Sequence, residues 1–335
     1  MTEEVGLYKF TIKLLDIKEP DDIIIFGMKN CVLYYGHINK DRNTIIFNYH
    51  NWIYRHTQPG WLKEKDIEFF VFGKKQYNFE IINKEKITNT RKFILIGDSH
   101  SYYHKDIITY MSYAQYIPFF LKDNIEFINF SQSGKSLNWH THILHKFEAV
   151  YPTDNDIIFI MDGANTLRDQ KQDDISIDLG ILCRYWPQGK KYLCRQYPFT
   201  RYDDGVIKIK PRCLELEDLY KQGCLENNIK YFNIDQPVIN FFKIHKFYEL
   251  NAFSRDIEDI QKHHTNALGA LIIMNILKIY FRKWDLMNSN NITFGDYKII
   301  RKIIHKYSNT IHPEILYDKV SNISHIKETI KKNYF

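Results

Sequence analysis

The chain has little with which to build a disulfide scaffold or a metal centre. Its 335 residues hold five cysteines, Cys31, Cys183, Cys194, Cys213 and Cys224. The number is odd and no two form a C-x-x-C pair, which argues against a disulfide framework or a zinc site and fits a reducing compartment. A P-loop, a dinucleotide fingerprint and a metal-ligand cluster are all missing, so no metal and no cofactor is expected. The opening stretch, MTEEVGLYKF, carries acids early and lacks a basic region followed by an apolar one, so no secretory signal is expected there. The most apolar stretch, Ala267–Phe281, is interrupted by Lys278 and is too short for a membrane span. These absences lead to the expectation of a cytoplasmic protein with no integral membrane segment. A strong excess of one charge is missing too. The net charge is +6, from 46 Lys and Arg against 40 Asp and Glu, and the basic residues are dispersed. No aromatic ladder with interleaved arginine marks an RNA-binding sheet, so nucleic acid is not an expected partner.

What is present is the composition of a globular protein, 44% hydrophobic and 26% charged. The length suits one large domain or two smaller ones. The 24 tyrosines and 23 phenylalanines are many. Such a bias follows from an AT-rich genome, and it also suits sugar rings; composition does not separate the two.

Residues 1–89 read as a β-rich accessory domain. Short β-prone runs, Asp22–Phe26, Cys31–Tyr35, Thr44–Tyr49 and Glu68–Phe72, are separated by polar turns, the pattern of a small antiparallel sheet or sandwich. Trp52, Tyr54 and Trp61 cluster around Pro59-Gly60 and are expected to fill its core rather than form a sugar platform. The polar stretch Asn83–Arg91 reads as a linker. From residue 90 to 285 the pattern changes. Strand-like runs at Lys92–Ile96, Ile125–Phe130, Asp156–Met161, Lys191–Arg195 and Lys230–Ile234 alternate with candidate helices at Lys105–Leu121, Ser136–Val150, Ser176–Tyr185 and Cys213–Glu226. This alternation implies βαβ units, an α/β class and a three-layer, flavodoxin-like parallel sheet. Residues 286–335 form a tail with helical stretches at Tyr297–Tyr307 and Ile323–Lys332. The tail reads as a helical appendage, a contact for a homo-oligomer or a basic patch.

The chain is organised around Lys92–Tyr103, KFILIGDSHSYY. An apolar run breaks at Gly97 and delivers Asp98-Ser99-His100. A Ser on the turn leaving a buried strand sits where parallel α/β sheets place their ligands. Alone, Gly-Asp-Ser is also what an ordinary strand-end turn contains. Three further stretches follow in order: Gly134 in NFSQSGKSLNW, Gly163 and Asn165 in DIIFIMDGANTLRD, and His264 in KHHTNALGALI.

Gly-Asp-Ser, then Gly, then Gly-x-Asn, then His-x-Asn-x-x-Gly resembles the SGNH (GDSL-like) hydrolase family, over roughly Lys92 to Trp284. The first block also resembles the Gly-Asp-Ser-His variant found in relatives linked to bacterial surface polysaccharides. The resemblance implies an SGNH-type fold and a Ser99 nucleophile. It implies an oxyanion hole made by the backbone N–H groups of Ser99 and Gly134 and the side-chain amide of Asn165. His264 would be the general base, since a serine hydroxyl is a weak nucleophile until a base takes its proton. Glycine at 134 is expected because a Cβ would obstruct the approach of substrate to the backbone. The family places an Asp three residues before the His; here that position is Gln261. Asp259, or Asp256, reaching the histidine from a distorted loop, a dyad without a carboxylate, and a site that no longer catalyses all stay open. His100 and Arg168 are candidates for substrate binding; Arg168 reads equally as a structural ion-pair partner. The expected activity is that of an esterase or O-acyltransferase on acylated carbohydrate through an acyl-Ser99 intermediate. The alternative is a non-catalytic glycan-binding or assembly protein on a degenerate SGNH scaffold.

Overall fold

The computed structural model describes residues 4–17, 22–28, 31–50, 52–54, 61–63, 69–72, 77–103, 111–145, 150–163, 165–166, 174–195, 200–203, 206–209, 211–238, 240, 265 and 267–288. Apolar and polar residues alternate in LYKFTIKL, which forms β1 (Leu7–Leu14) and buries Phe10, Ile12 and Leu14. There follow β2 (Asp22–Met28), β3 (Cys31–Ile38), β4 (Thr44–His50), β5 (Trp52–Tyr54), β6 (Trp61–Lys63), β7 (Phe69–Phe72) and β8 (Phe79–Lys86). All their pairings are antiparallel. Strand β1 lies between β4 and β8, β2 lies between β3 and β7, and β5 pairs with β6. Phe10, Ile12, Leu14, Cys31, Leu33, Ile45 and Phe47 form one core between the two larger sheets.

Two features of this region differ from the sequence reading. Strand β1 was not anticipated. Of the segment read as a linker, Asn83–Arg91, the first four residues belong to β8, whose residues Phe79 to Lys86 pair with β1. Its sequence FEIINKEK is charged because an edge strand with both faces largely in water carries no apolar requirement, and charges there discourage edge-to-edge association. The side chains of Trp52, Tyr54 and Trp61 lie outside the described residues.

The second half is built on β9 (Arg91–Gly97), β10 (Ile125–Asn129), β11 (Ile157–Asp162), β12 (Lys190–Arg195) and β15 (Lys230–Asn233), with a hairpin β13 (Thr200–Asp203) and β14 (Val206–Ile209) between the last two. The five strands are parallel in the order β10-β9-β11-β12-β15. Counted within the sheet this is 2-1-3-4-5, the flavodoxin-like order. Helices α1 (Ile117–Phe120), α2 (Leu137–Ile143), α3 (Asp174–Tyr185), α4 (Pro211–Glu226) and α5 (Ala267–Lys283) cover it. Alternation along the strands assigns them to layers. Phe93, Leu95, Phe159 and Met161 pack with Ile117, Phe120 and the buried residues of α5. Ile94, Ile96, Ile158 and Ile160 pack with Leu137, Leu179, Leu182, Leu216 and Tyr220 on the other face. Burial on both faces is why these strands are near-continuous apolar runs.

Of the helix expected over Lys105–Leu121, residues 105–110 lie outside the described residues. Its described part is a 3-10 turn at Tyr113–Tyr116 followed by the single turn of α1, with Pro118 in its first positions. The β13–β14 hairpin was not anticipated. The tail readings over 289–335 lie outside the described residues. Among the described residues no helix is long and apolar enough to cross a membrane. The antiparallel half touches the parallel sheet at its β10 edge, where His50 Nε2 and Glu126 Oε1 are 2.8 Å apart and Asn48 Nδ2 donates to Asp123 Oδ1 at 3.0 Å.

Candidate active site

Strand β9 runs first to β10 on one side and the chain then returns to β11 on the other. The carboxyl end of β9 is therefore the topological switch point, where such sheets open a crevice for ligands. Ser99 leaves the sheet there. Gly97 makes the exit possible: a Cβ at this position would stand 2.9 Å from the carbonyl oxygen of Met161 on β11 and 2.6 Å from Ser101 Oγ. The turn after it is held from within and without. His100 N–H donates to Asp98 Oδ1 at 2.9 Å and Ser101 N–H donates to the Asp98 carbonyl at 3.1 Å. Ser101 Oγ shares a hydrogen bond with Tyr113 OH at 2.7 Å, and Asn129 Nδ2 donates to the Ser101 carbonyl at 2.8 Å. Asp98 thus holds the turn through its hydrogen bonds, as its residue type suggests.

The segment after β10 is tied to the same point. Ser131 N–H donates to Asn129 Oδ1 at 2.9 Å and Gln132 N–H donates to the Gly97 carbonyl at 2.9 Å. Two residues on, Gly134 has φ of +75°, with no atom of the described residues, its chain neighbours aside, within 4 Å of where its Cβ would be. Among the described residues it is backbone conformation, not crowding, that favours glycine here. The third strand end, after β11, carries Asn165. Its amide donates to Asp98 Oδ2 at 3.3 Å, which sets it beside the Ser99 turn. Ser99 and Asn165 each retain 8% exposure while Asp98 and Ser101 retain none, so the first two keep a window to solvent. His100 is buried next to them.

Arg168, Asp256, Asp259, Gln261 and His264 lie outside the described residues. The neighbour of His264 is described. Thr265 Oγ1 donates to the Met111 carbonyl at 2.6 Å, and Met111 N–H donates to the Thr265 carbonyl at 3.1 Å. Tyr113, two residues after Met111, is the partner of Ser101. The chain entering α5 is therefore fastened to the same segment that braces the serine turn.

The site is rich in buried carboxyls, of which the sequence reading singled out only Asp98. Burial pushes Asp98 up to about 8, helped by the nearby Asp162 and opposed by its hydrogen bonds from His100 and Asn165. At neutral pH it is mostly the neutral acid. Burial also raises Asp162, to about 6, against the donated hydrogen bonds of Thr166 and Tyr220. At the ends of β12 and β15, Arg195 pairs with Asp235 and stands 3.4 Å from Glu217. Asp235 is raised to about 6 by burial in spite of that arginine. The one sequence signal for these groups was position, an Asp or Arg ending an apolar run at a strand's carboxyl end. Among the described residues no group of His, Cys, Asp and Glu is placed to hold a metal ion.

Fold and site together define a doubly wound α/β domain with a serine turn at its switch point. No family model and no curated protein matches the sequence. Solved structures are similar in chain course. One is a member of the lipolytic G-D-S-L family from Veillonella parvula, 15% identical over 58% of this chain and 100% of that one, with a TM-score of 0.42. Another is an acetyl xylan esterase from Geobacillus stearothermophilus, 16% identical over 60% of this chain and 97% of that one, with a TM-score of 0.41. A third is SsfX3, a salicylyl-acyltransferase from a tetracycline biosynthetic pathway, 12% identical over 84% of this chain and 80% of that one, with a TM-score of 0.42. At such scores the substrates of those proteins do not transfer to this chain.

Proposed function

We propose that this chain is a serine-dependent acyl-ester hydrolase or O-acyltransferase that works through an acyl-Ser99 intermediate. The observation that carries the reading is the meeting at the switch point. The turn bearing Ser99, the segment bearing Gly134 and the amide of Asn165 come from three adjacent strand ends and are hydrogen-bonded to one another through Gly97, Asn129 and Asp98. In this reading Ser99 Oγ attacks the ester carbonyl as His264 takes its proton. The oxyanion is met by the N–H groups of Ser99 and Gly134 and by the Asn165 amide, whose second hydrogen is left over when the first is given to Asp98. His264 then returns the proton to the leaving alcohol. Asp259 is proposed to orient His264, and His100 and Arg168 to bind the substrate. The substrate class proposed is an O-acylated carbohydrate, with surface polysaccharide as the narrower choice and the cytoplasm as the setting. Residues 1–89 and 286–335 act as accessory modules to the 90–285 domain.

A fluorophosphonate probe tests the reading without assuming water or sugar as the acceptor. It should phosphonylate the wild-type protein at Ser99, identified by peptide mass spectrometry, and leave Ser99→Ala unlabelled. A wild type that takes no label at Ser99 overturns the proposal. Turnover of p-nitrophenyl acetate with and without sugar alcohols then separates hydrolase from transferase.

A further inference from the structure

The two outer donors of the proposed oxyanion hole, Gly134 and Asn165, sit on different loops. An oxyanion hole works only if such donors keep their spacing as charge develops, since a misplacement of about 1 Å costs as much as a hundred-fold in rate. Something must fix one loop against the other, and a chain of buried hydrogen bonds does so. The Asp162 carboxylate, at the end of β11, accepts from two hydroxyls, Tyr220 on α4 and Thr166 next to Asn165. Because the one hydroxyl hydrogen of Thr166 is given to Asp162, its oxygen is left as an acceptor. Leu137 N–H donates to it at 3.1 Å. Leu137 is the first residue of α2 and lies three residues after Gly134. The N-cap residue of α2, Ser136, makes no side-chain capping bond, so Thr166 supplies from another strand end the acceptor that the helix start needs. Asp162, Thr166, Leu137 and Tyr220 are each exposed by 1% or less, so water does not compete for these bonds.

We propose that Thr166, set by Asp162 and Tyr220, is a positioning residue that holds the Gly134 loop at a fixed distance from Asn165. The proposal rests on the acyl-ester reading of the site. It explains why the loop after β10 is fastened at both ends. Gln132 ties its start to Gly97 beside the serine turn. Leu137 ties its end to Thr166 beside the amide donor. Threonine suits the position because its hydroxyl donates and accepts at once, which the connection between Asp162 and Leu137 requires.

The test compares fluorophosphonate labelling of Ser99 in wild type, Thr166→Val, Thr166→Ser and Tyr220→Phe, with the maximal rate and the half-saturating concentration measured separately and melting followed alongside. Thr166→Val keeps the shape and removes the hydroxyl. It should lower the maximal rate about ten- to hundred-fold and leave half-saturation within about two-fold. Thr166→Ser restores the hydroxyl and should recover the rate to within about three-fold of wild type. Tyr220→Phe removes only the outer donor and should lower the rate by a smaller factor, which keeps the test decisive if Thr166→Val fails to fold. A folded Thr166→Val that labels at the wild-type rate overturns the proposal, as does a serine variant no faster than the valine one. Failure of the wild type to label at all overturns the acyl-ester reading itself, an outcome distinct from both.

Discussion

The two ends of the parallel sheet treat buried aspartates in opposite ways. At the amino end, Asp156 is 2% exposed and surrounded by donors. The N–H groups of Lys92 and Thr153 both reach it at 2.6 Å, the Thr153 hydroxyl at 3.0 Å, and the Lys92 ammonium stands 3.7 Å away. At the carboxyl end, Asp98 accepts bonds of 2.9 and 3.3 Å beside a second carboxyl, and its pKa climbs to about 8. One residue type in one sheet is a brace ringed by donors at one end and a buried, neutral-leaning acid at the other. Raised carboxyl pKa values cluster where a site gives up stability for chemistry, and their placement at the switch point agrees with where the serine emerges.

The largest effect that sharpens this contrast is on rate. Asn165→Ala removes a donor at the carboxyl end and should raise the barrier by about 3–4 kcal/mol, a loss of roughly 10²–10³-fold in Ser99 phosphonylation at saturating probe, with half-saturation little changed. Equal losses in both would deny Asn165 an oxyanion role. Asp156→Ala is the counterpart at the amino end. It strands the part-buried N–H groups of Lys92 and Thr153 and should cost about 1–3 kcal/mol of stability by urea denaturation, while the folded variant labels at the wild-type rate. A loss of labelling comparable to that of Asn165→Ala would mean that the two ends are not functionally distinct.

The carboxyl end was legible in sequence because strand ends announce themselves: KFILIG, IEFINF and IIFIMD each stop at a polar residue, and Ser99, Gly134 and Asn165 follow. The five parallel strands were legible for the same reason, and the flavodoxin-like reading matches their observed order, although periodicity by itself says nothing about which strands pair. Tyr220 was invisible because its partner Asp162 lies 58 residues earlier and on another element. Strands β1 and β8 escaped because their lysines and glutamates suit a linker as well as a sheet edge; only the pairing of Tyr8–Leu14 with Phe79–Lys86 decides between them.

A third prediction uses pH. The ordinary value for an aspartate is 3.8, and Asp98 in the fold is at about 8. The folded protein therefore keeps a proton that the unfolded chain releases between those values. The stability linked to that proton is fully present below the lower value and is lost as pH rises through the upper one. Wild type should lose up to about 1.4 kcal/mol per pH unit relative to Asp98→Asn between pH 5 and 8. Asp162, at about 6, contributes to both proteins alike over the lower part of that range. Denaturation midpoints that run parallel across these pH values would show that Asp98 is not held as the neutral acid.

The smallest expected effect decides why position 134 is glycine. The backbone there has φ of +75°, and no atom of the described residues beyond its chain neighbours lies within 4 Å of the missing Cβ. Gly134→Ala should therefore meet only the conformational cost of a left-handed residue, about 1 kcal/mol of stability. The N–H group stays in place, so the labelling rate should fall less than ten-fold. A different result, with stability intact and labelling reduced far more than ten-fold, would mean that substrate and not strain excludes the side chain. The Cβ would then mark the path by which the ester reaches Ser99, and substitutions of increasing size at 134 would grade that path by acyl chain length.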